Sequence, residues 1–282
     1  MPDLIDQLDQ YLLDRPKRDQ KQRWYPTDML KCGRQLFYKK TNEKPSNPIE
    51  AGALWKMEAG NALHDMIVGF LREAIDPDVE EEVEFLGPLD GLPGEEAADP
   101  AAPWIISGRV DAVFTQNGKK KAAEIKTSYG QGIKRIQQLG QPKEDHLAQT
   151  ICYLELTDIE EIWLLYFGRD NGYRTVFKIR LNAPERPVCE HNGVETYIDQ
   201  SLYFDSLMAR LRPIEAMIKA GEMPDRDFQA AIVKGEVKDK FVRQGKTFKS
   251  DWQCSYCDFQ SLCWIDEMLK HADGDNSGSF RA

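Results

Sequence analysis

Between positions 50 and 75 the apolar residues recur with a helical period. The run EAGALWKMEAGNALHDMIVGFLREAI follows Pro48 and puts Gly60, His64, Ile67, Val68 and Leu71 on one face. That face is expected to look into the protein. Residues 79–86 alternate instead, as a strand does. The segments WIISGRVDAVF (104–114) and KKAAEIKTS (120–128) alternate too. They are joined through Gln116-Asn117-Gly118, a hairpin signal because both central residues tolerate the left-handed backbone of a type I′ turn. Pro142 is placed to open a helix that runs to about Thr157. EIWLLYFGRD and YRTVFKIRL predict a second hairpin about Asn171-Gly172. Residues 87–103 are rich in Pro, Gly and Asp and read as a loop. A long helix is expected over 195–220 and a short one after Cys257. The tail HADGDNSGSFRA (271–282) is expected to be disordered. This order predicts an α/β fold with a central mixed sheet flanked by helices.

Composition bounds the class. The chain has 282 residues, 41% hydrophobic and 30% charged, which suits a globular protein with its own core. No apolar run is long enough to cross a bilayer, so no membrane partner is expected. The first ten residues, MPDLIDQLDQ, lack a signal peptide's basic start and apolar stretch, and the expected location is the cytoplasm. The net charge of -10 taken alone argues against nucleic acid. Its distribution reverses that reading. Glu73 to Asp99 holds eleven acidic residues and no Lys or Arg, leaving 36 acidic against 37 basic residues elsewhere. Ten basic residues lie between Arg15 and Lys44, and six between Lys234 and Lys249. Both stretches are candidate phosphate-contacting surfaces, or solvated faces with ordinary clustering.

Six cysteines occur, and three of them form C-S-Y-C-D-F-Q-S-L-C: Cys254, Cys257 and Cys263. Two thiolates two residues apart chelate one metal centre, and a third soon after adds a ligand. Cys32 is the best fourth ligand, because it sits in a basic segment rather than an apolar run. Cys152 reads as a small core residue of the Pro142 helix, and Cys189 as a loop residue. Zinc sites usually pair two C-x2-C knuckles. One knuckle, an offset third cysteine and a distant fourth favour an iron–sulfur cluster instead.

The first hairpin carries the other candidate chemistry. A two-residue turn at Asn117-Gly118 sets Asp111 across from Glu124, and Arg109 across from Lys126. Opposed carboxylates repel, so the pair either tolerates a clash on a solvated sheet face or holds a cation. Mg²⁺ or Mn²⁺ suits two carboxylates and water. Lys126 would then stabilise developing charge, or with a lowered pKa help to deprotonate water. His64 is a satisfied core histidine or a nitrogen ligand. His146, Gln149 and Tyr153 share one face of the Pro142 helix, as a solvated stripe or as groups that orient ligands and substrate.

These residues together resemble a known family. G-R-V-D-A-V followed by E-I-K-T-S is similar to the catalytic core of the PD-(D/E)xK nuclease superfamily. G-N-A-L-H and Q-T-I-C-Y resemble the Gly-x-x-x-His and Gln-x-x-x-Tyr motifs of its RecB-like branch. One upstream cysteine with a C-terminal C-x2-C-x5-C resembles that branch's iron–sulfur subgroup, which includes CRISPR-associated exonucleases and AddB-type nuclease domains. The match runs from Cys32 to Cys263. Two departures stand out: Val110, not proline, precedes Asp111, and the acidic segment 73–99 is not part of the motif set.

The resemblance implies a restriction-endonuclease-like core with a helical lobe closed by an Fe–S cluster. It implies one nuclease domain over 1–270, with its core at about 50–182 and the cluster lobe at about 15–45 and 195–268. His64, Asp111 and Glu124 would bind Mg²⁺ or Mn²⁺ with the Ile125 carbonyl, and Lys126 would be catalytic. Gln149, Tyr153, His146 and Arg109 would support the site or contact DNA. Cys32, Cys254, Cys257 and Cys263 would hold a structural [4Fe-4S] cluster. The implied activity is cleavage of DNA ends, often single-stranded, with CRISPR adaptation or recombination proteins as candidate partners. The rival is a non-catalytic DNA-binding or assembly subunit that keeps the fold.

Overall fold

The alternating segments pair as strands of one sheet. The computed structural model describes residues 3–15, 23–87, 104–182, 186–233, 235–238, 242–243, 246–247 and 251–272. Half of the Lys234–Lys249 stretch lies outside these residues, as do 16–22, the loop 88–103 and the tail from 273. The chain divides into two compact units.

The first unit comprises residues 1–12, 22–30 and 52–213. Its elements in chain order are α1 (Leu4–Leu13), β1 (Arg23–Trp24), α3 (Ala51–Ala74), β2 (Glu80–Gly87), β3 (Ile105–Gln116) and β4 (Lys119–Ser128). There follow α4 (Gly130–Leu139), α5 (Glu144–Leu156), β5 (Glu161–Gly168), β6 (Arg174–Asn182), β7 (Arg186–His191) and β8 (Val194–Tyr197). Helix α6 (Phe204–Ala220) starts in this unit, and α2 (Gly33–Lys40) belongs to the second. The sheet is mixed and eight-stranded, in the order β1-β3-β4-β5-β6-β7-β8, with β2 on β3. β1 runs parallel to β3 and β4 parallel to β5; the other pairs are antiparallel.

Asn117 and Gly118 have φ of 56° and 73°, the pair of positive values a type I′ turn needs. The turn sets Gln116 opposite Lys119 and carries the ladder back to Ala112 opposite Ala123. There it stops. β2 covers one edge of β3 from Ile106 to Val113, so β1 and β4 must share the other. β1 takes Ile105 and Ile106, β4 starts at Ala112, and β3 is left open on that edge in between. Neither expected opposition, Asp111 to Glu124 or Arg109 to Lys126, is therefore part of the ladder, because the strands part before reaching them.

On one face, Ala112, Phe114, Ala123 and Ile125 form a core with Ile67 and Val68 of α3, as the helical period predicts. Gly60 lets α3 come close to β4: an added Cβ there would stand 3.1 Å from the Thr127 hydroxyl.

Three parts of the chain differ from their reading. Residues 186–197 form a hairpin turning at Asn192-Gly193, with φ of 53° and 78°, where a loop and the start of a helix were expected. The long helix starts only at Phe204, after the short 3-10 turn Gln200–Leu202. Helices α1 and α4 were not expected at all, and α2 falls in the lobe expected to be helical. In α4, glycines at 130 and 132 hide a helix whose Ile133 and Ile136 are buried.

The second unit comprises residues 13–21, 31–51 and 214–282. It holds α2, the short strands β9 (Ala231–Val233), β10 (Glu236–Lys238), β11 (Val242–Arg243) and β12 (Lys246–Thr247), and helices α7 (Trp252–Ser255), α8 (Gln260–Cys263) and α9 (Ile265–Ala272). Distant parts of the chain bond directly: the Gly33 N–H donates to Asp227 Oδ2 at 2.7 Å, and the Asn47 N–H to the Asp258 carbonyl at 2.8 Å. Among the described residues no helix is long and apolar enough to cross a membrane.

Candidate functional site

Where β3 and β4 part, each strand leaves a backbone group without its ladder partner, and buried backbone groups must be paired. The site is built from those repairs. The Ile125 N–H donates to Asp111 Oδ2 at 2.7 Å, so a side chain replaces the missing carbonyl. The Arg109 carbonyl accepts from the Tyr153 hydroxyl at 3.1 Å. Gly108 makes this possible. A Cβ there would lie 2.2 Å from the Phe85 ring, which packs edge-on against Tyr153 with centroids 5.3 Å apart.

Glu124 is 2% exposed. Its Oε1 accepts from Lys126 Nζ at 2.6 Å and from Gln149 Nε2 at 2.9 Å. Lys126 also donates to Gln149 Oε1 at 2.8 Å, and Gln149 Nε2 bonds the Tyr153 hydroxyl. Glu124 Oε2 is buried with no hydrogen-bond partner. Such an orphaned carboxylate oxygen is costly unless something supplies positive charge. His64 Nδ1 lies 3.6 Å from Asp111 Oδ2.

The charges agree with this geometry. Burial pushes Asp111 up to about 6, against the pull of the Ile125 N–H and Lys126. Burial pushes Glu124 up to about 7, with Lys126 opposing and Asp111 adding to the rise. Burial lowers His64, which favours its neutral, ligating form. Burial also acts to lower Lys126, but Glu124 and Asp111 outweigh it, and the ammonium ends up held above its usual value. The two partners thus pull apart, the lysine toward its charged form and the glutamate toward its neutral one. The 2.6 Å contact favours the charged pair, with two carboxylates sharing one cation. With Lys126 held cationic, its reading as a base gives way to that of an electrostatic stabiliser.

The structure brings His64, Asp111, Glu124, Ile125, Lys126, Gln149 and Tyr153 together. The side chains of the other two bond elsewhere, although the charge of Arg109 still acts to lower Asp111. His146 bonds Tyr166 through Nδ1 at 2.8 Å, and burial and Lys126 lower its pKa to about 3, so it is a neutral packing residue. Arg109 pairs with Glu82 rather than standing beside Lys126. Glu82 itself was missed. It has a φ of 53° within β2, and its charge adds to the rise at Asp111. Its place in the acidic run 80–84 was the available signal.

In the second unit, Cys32, Cys254, Cys257 and Cys263 line one cavity of about 400 Å³ of empty space, part of it open to solvent. Cys32 precedes α2, and the other three sit on or beside α7 and α8. Burial, then the neighbouring thiols Cys32, Cys257 and Cys263, pushes Cys254 up to about 12. Burial above all pushes Cys257 up to about 11. Arg226 caps the cavity: its guanidinium lies 3.9 Å from the Trp264 ring centroid, its Nη1 is 2.8 Å from Glu267, and its Nε is buried without a partner. Cys152 and Cys189 are buried elsewhere, in α5 and β7. Among the described residues no three His, Cys, Asp or Glu side chains stand close enough to grip a single ion as they are.

No known family's sequence profile matches the chain, and no curated protein matches it. Among solved structures it is similar to SSO0001, with 21% identity and a TM-score of 0.49 over 92% of this chain and 94% of that one. It is also similar to an alkaline exonuclease (LHK-Exo) from Laribacter hongkongensis, with 13% identity and a TM-score of 0.41 over 71% of this chain and 91% of that one.

Proposed function

We propose that this chain is a metal-dependent deoxyribonuclease of the RecB-like iron–sulfur type, acting at the ends of single-stranded DNA. The observation that carries the reading is the orphaned Glu124 Oε2, buried beside Asp111 with Lys126 fixed between Glu124 and Gln149. With both carboxylates ionised, one ammonium and a neutral imidazole leave a surplus negative charge in a largely buried place. A hard divalent ion offsets it.

His64, Asp111, Glu124 and the Ile125 carbonyl would hold Mg²⁺ or Mn²⁺, which when bound polarises a phosphoryl oxygen and acidifies a water. Lys126, kept cationic, stabilises the charge that develops on the phosphate as water attacks. Gln149 fixes the ammonium by accepting from it, and fixes Glu124 by donating to it. Tyr153 holds the parted β3 strand in place. The donor set fits: one nitrogen and several oxygens, with one oxygen partnerless.

The four thiols line a common cavity, and their spacing, one C-x2-C knuckle with an offset third cysteine and a distant fourth, suits an iron–sulfur cluster better than the paired knuckles of a zinc site. Such a cluster would be structural, pinning α2 to the α7–α8 segment. The test is a time course on end-labelled DNA with anaerobically purified protein. Shortening that needs Mg²⁺ or Mn²⁺ and is lost in Lys126→Ala and Glu124→Ala supports the reading. Equal cleavage by either variant refutes it, and binding without cleavage by the wild type favours a non-catalytic subunit.

A further inference from the structure

β4 has cations near both ends, and their surroundings differ. At its amino end Lys119, Lys120 and Lys121 each pair with an acid: Glu160 at 3.4 Å, Asp158 at 2.6 Å and Glu161 at 2.9 Å. Beyond its carboxyl end the pattern stops. Arg169 lies over the Tyr129 ring at 5.2 Å, donates Nη1 to the Lys56 carbonyl at 2.7 Å, and donates its backbone N–H to the Ser128 carbonyl at 2.8 Å. It is fixed in place, yet no carboxylate of a described residue pairs with it, with Lys56 or with Lys134 of α4. The adjacent Asp170 is turned away to the Gly130 N–H at 2.6 Å. Tyr129 is 56% exposed despite its aromatic ring. It follows the end of β4, three residues past Lys126 and roughly 10 Å on in an extended chain, and by alternation it lies on the α3 side of the sheet, as does Arg169 through its bond to Lys56.

We propose that Tyr129 and Arg169 form a single-strand platform beside the site, with Tyr129 stacking a base and Arg169 and Lys56 meeting the phosphates. This rests on the nuclease reading for its place just past the strand that carries Lys126. An exposed ring takes only an unpaired base, and every base offers a face to it. Fixed cations without acid partners suit a polyanion, whereas the neutralised amino end of β4 does not. An acidic protein segment would use the cations without needing the ring.

The test is fluorescence anisotropy of labelled single- and double-stranded oligonucleotides with the full chain in EDTA, alongside cleavage of the same strands with Mn²⁺. Tyr129→Ala is expected to weaken single-strand binding about tenfold and duplex binding far less. Tyr129→Phe is expected to bind as wild type. Arg169→Ala should lower the slope of log affinity against log salt by about 0.7, one single-strand phosphate contact. Lys120→Ala should change nothing. Melting temperatures separate a binding loss from misfolding, and if Arg169→Ala unfolds, the Tyr129 pair alone decides.

Wild-type single-strand binding by Tyr129→Ala overturns the proposal. So does an equal loss on duplex, or a Lys120→Ala defect as large. Cleavage with undisturbed Tyr129→Ala binding sinks the platform alone. Tyr129-dependent binding without cleavage sinks the nuclease reading and leaves the platform standing.

Discussion

Two sets of carboxylates share the eight-stranded sheet, and they behave in opposite ways. Glu161 accepts from Trp163 Nε1 and pairs with Lys121; Glu190 pairs with Lys178 and Arg180. Both are held below the usual glutamate range, Glu161 by bonds that outweigh its partial burial and Glu190 chiefly by the Lys178 hydrogen bond. Asp111 and Glu124 are pushed up instead, by burial above all, with Glu82 adding to the rise at Asp111 and Asp111 adding to that at Glu124. The residue types are the same and the sheet is the same. The first set is complete within the chain; the second leaves Glu124 Oε2 buried without a hydrogen-bond partner. Unsatisfied charge, more than acidity itself, separates a functional carboxylate from a structural one.

The largest expected effect comes from breaking the second set. Glu124→Ala or Lys126→Ala should reduce DNA cleavage at least about a hundredfold, read as the initial rate on labelled strands. Glu190→Ala, in the first set, should leave that rate within about twofold.

Next comes the cysteine cavity, where the same logic of incompleteness applies to thiols. Changing any one of Cys32, Cys254, Cys257 or Cys263 to Ala should cost bound iron and soluble yield. Cys152→Ala, already satisfied in the core, should cost on the order of 1 kcal/mol in a denaturant melt. Equal losses in all five variants would count against the assignment.

Acidity separates the two sets by sign. Asp111 and Glu124 titrate at about 6 and about 7 when folded, above their ordinary values of 3.8 and 4.5. Between about pH 4 and 7 these two groups thus hold more protons in the folded chain than in the unfolded one, and their contribution to metal-free stability falls as pH rises through that window, while the lowered His64 and His146 act with the opposite sign. Glu161 and Glu190, with depressed values, act the other way and lose their contribution on acidification. Glu124→Gln should flatten the fall between pH 5 and 7 in thermal melts of chelated protein. An unchanged slope would contradict the assignment. The smallest effect is expected of Tyr153→Phe, which leaves the Arg109 carbonyl without its donor and should cost about 1 kcal/mol.

Sequence pattern carried much of this site, and the failures have local causes. Asn117-Gly118 defined the turn, and alternation put Glu124 and Lys126 on the face opposite the α3 core. The register holds from the turn to Ala112, then fails, because β1 enters beside β3 from eighty residues upstream, roughly, and no local pattern announces a parallel partner. Arg109 was misplaced for that reason. The hairpin at Asn192-Gly193 carried the same dipeptide signal as the first, but Pro187 masked the strand before it. His146 lies on the correct face of α5 by spacing, yet Tyr166 claims it, and only packing decides that. That Cys32, Cys254, Cys257 and Cys263 share one cavity was legible because spacing already groups three of them.

The central claim is that Asp111 and Glu124 are incomplete without a cation. Mn²⁺ binding, followed by electron paramagnetic resonance of free ion during titration, tests it without reference to DNA. The wild type is expected to take up Mn²⁺ and to melt several degrees higher when saturated. Glu124→Gln and Asp111→Asn should lose both responses while remaining folded. Undiminished Mn²⁺ binding in both variants, or none in the wild type, would contradict the account.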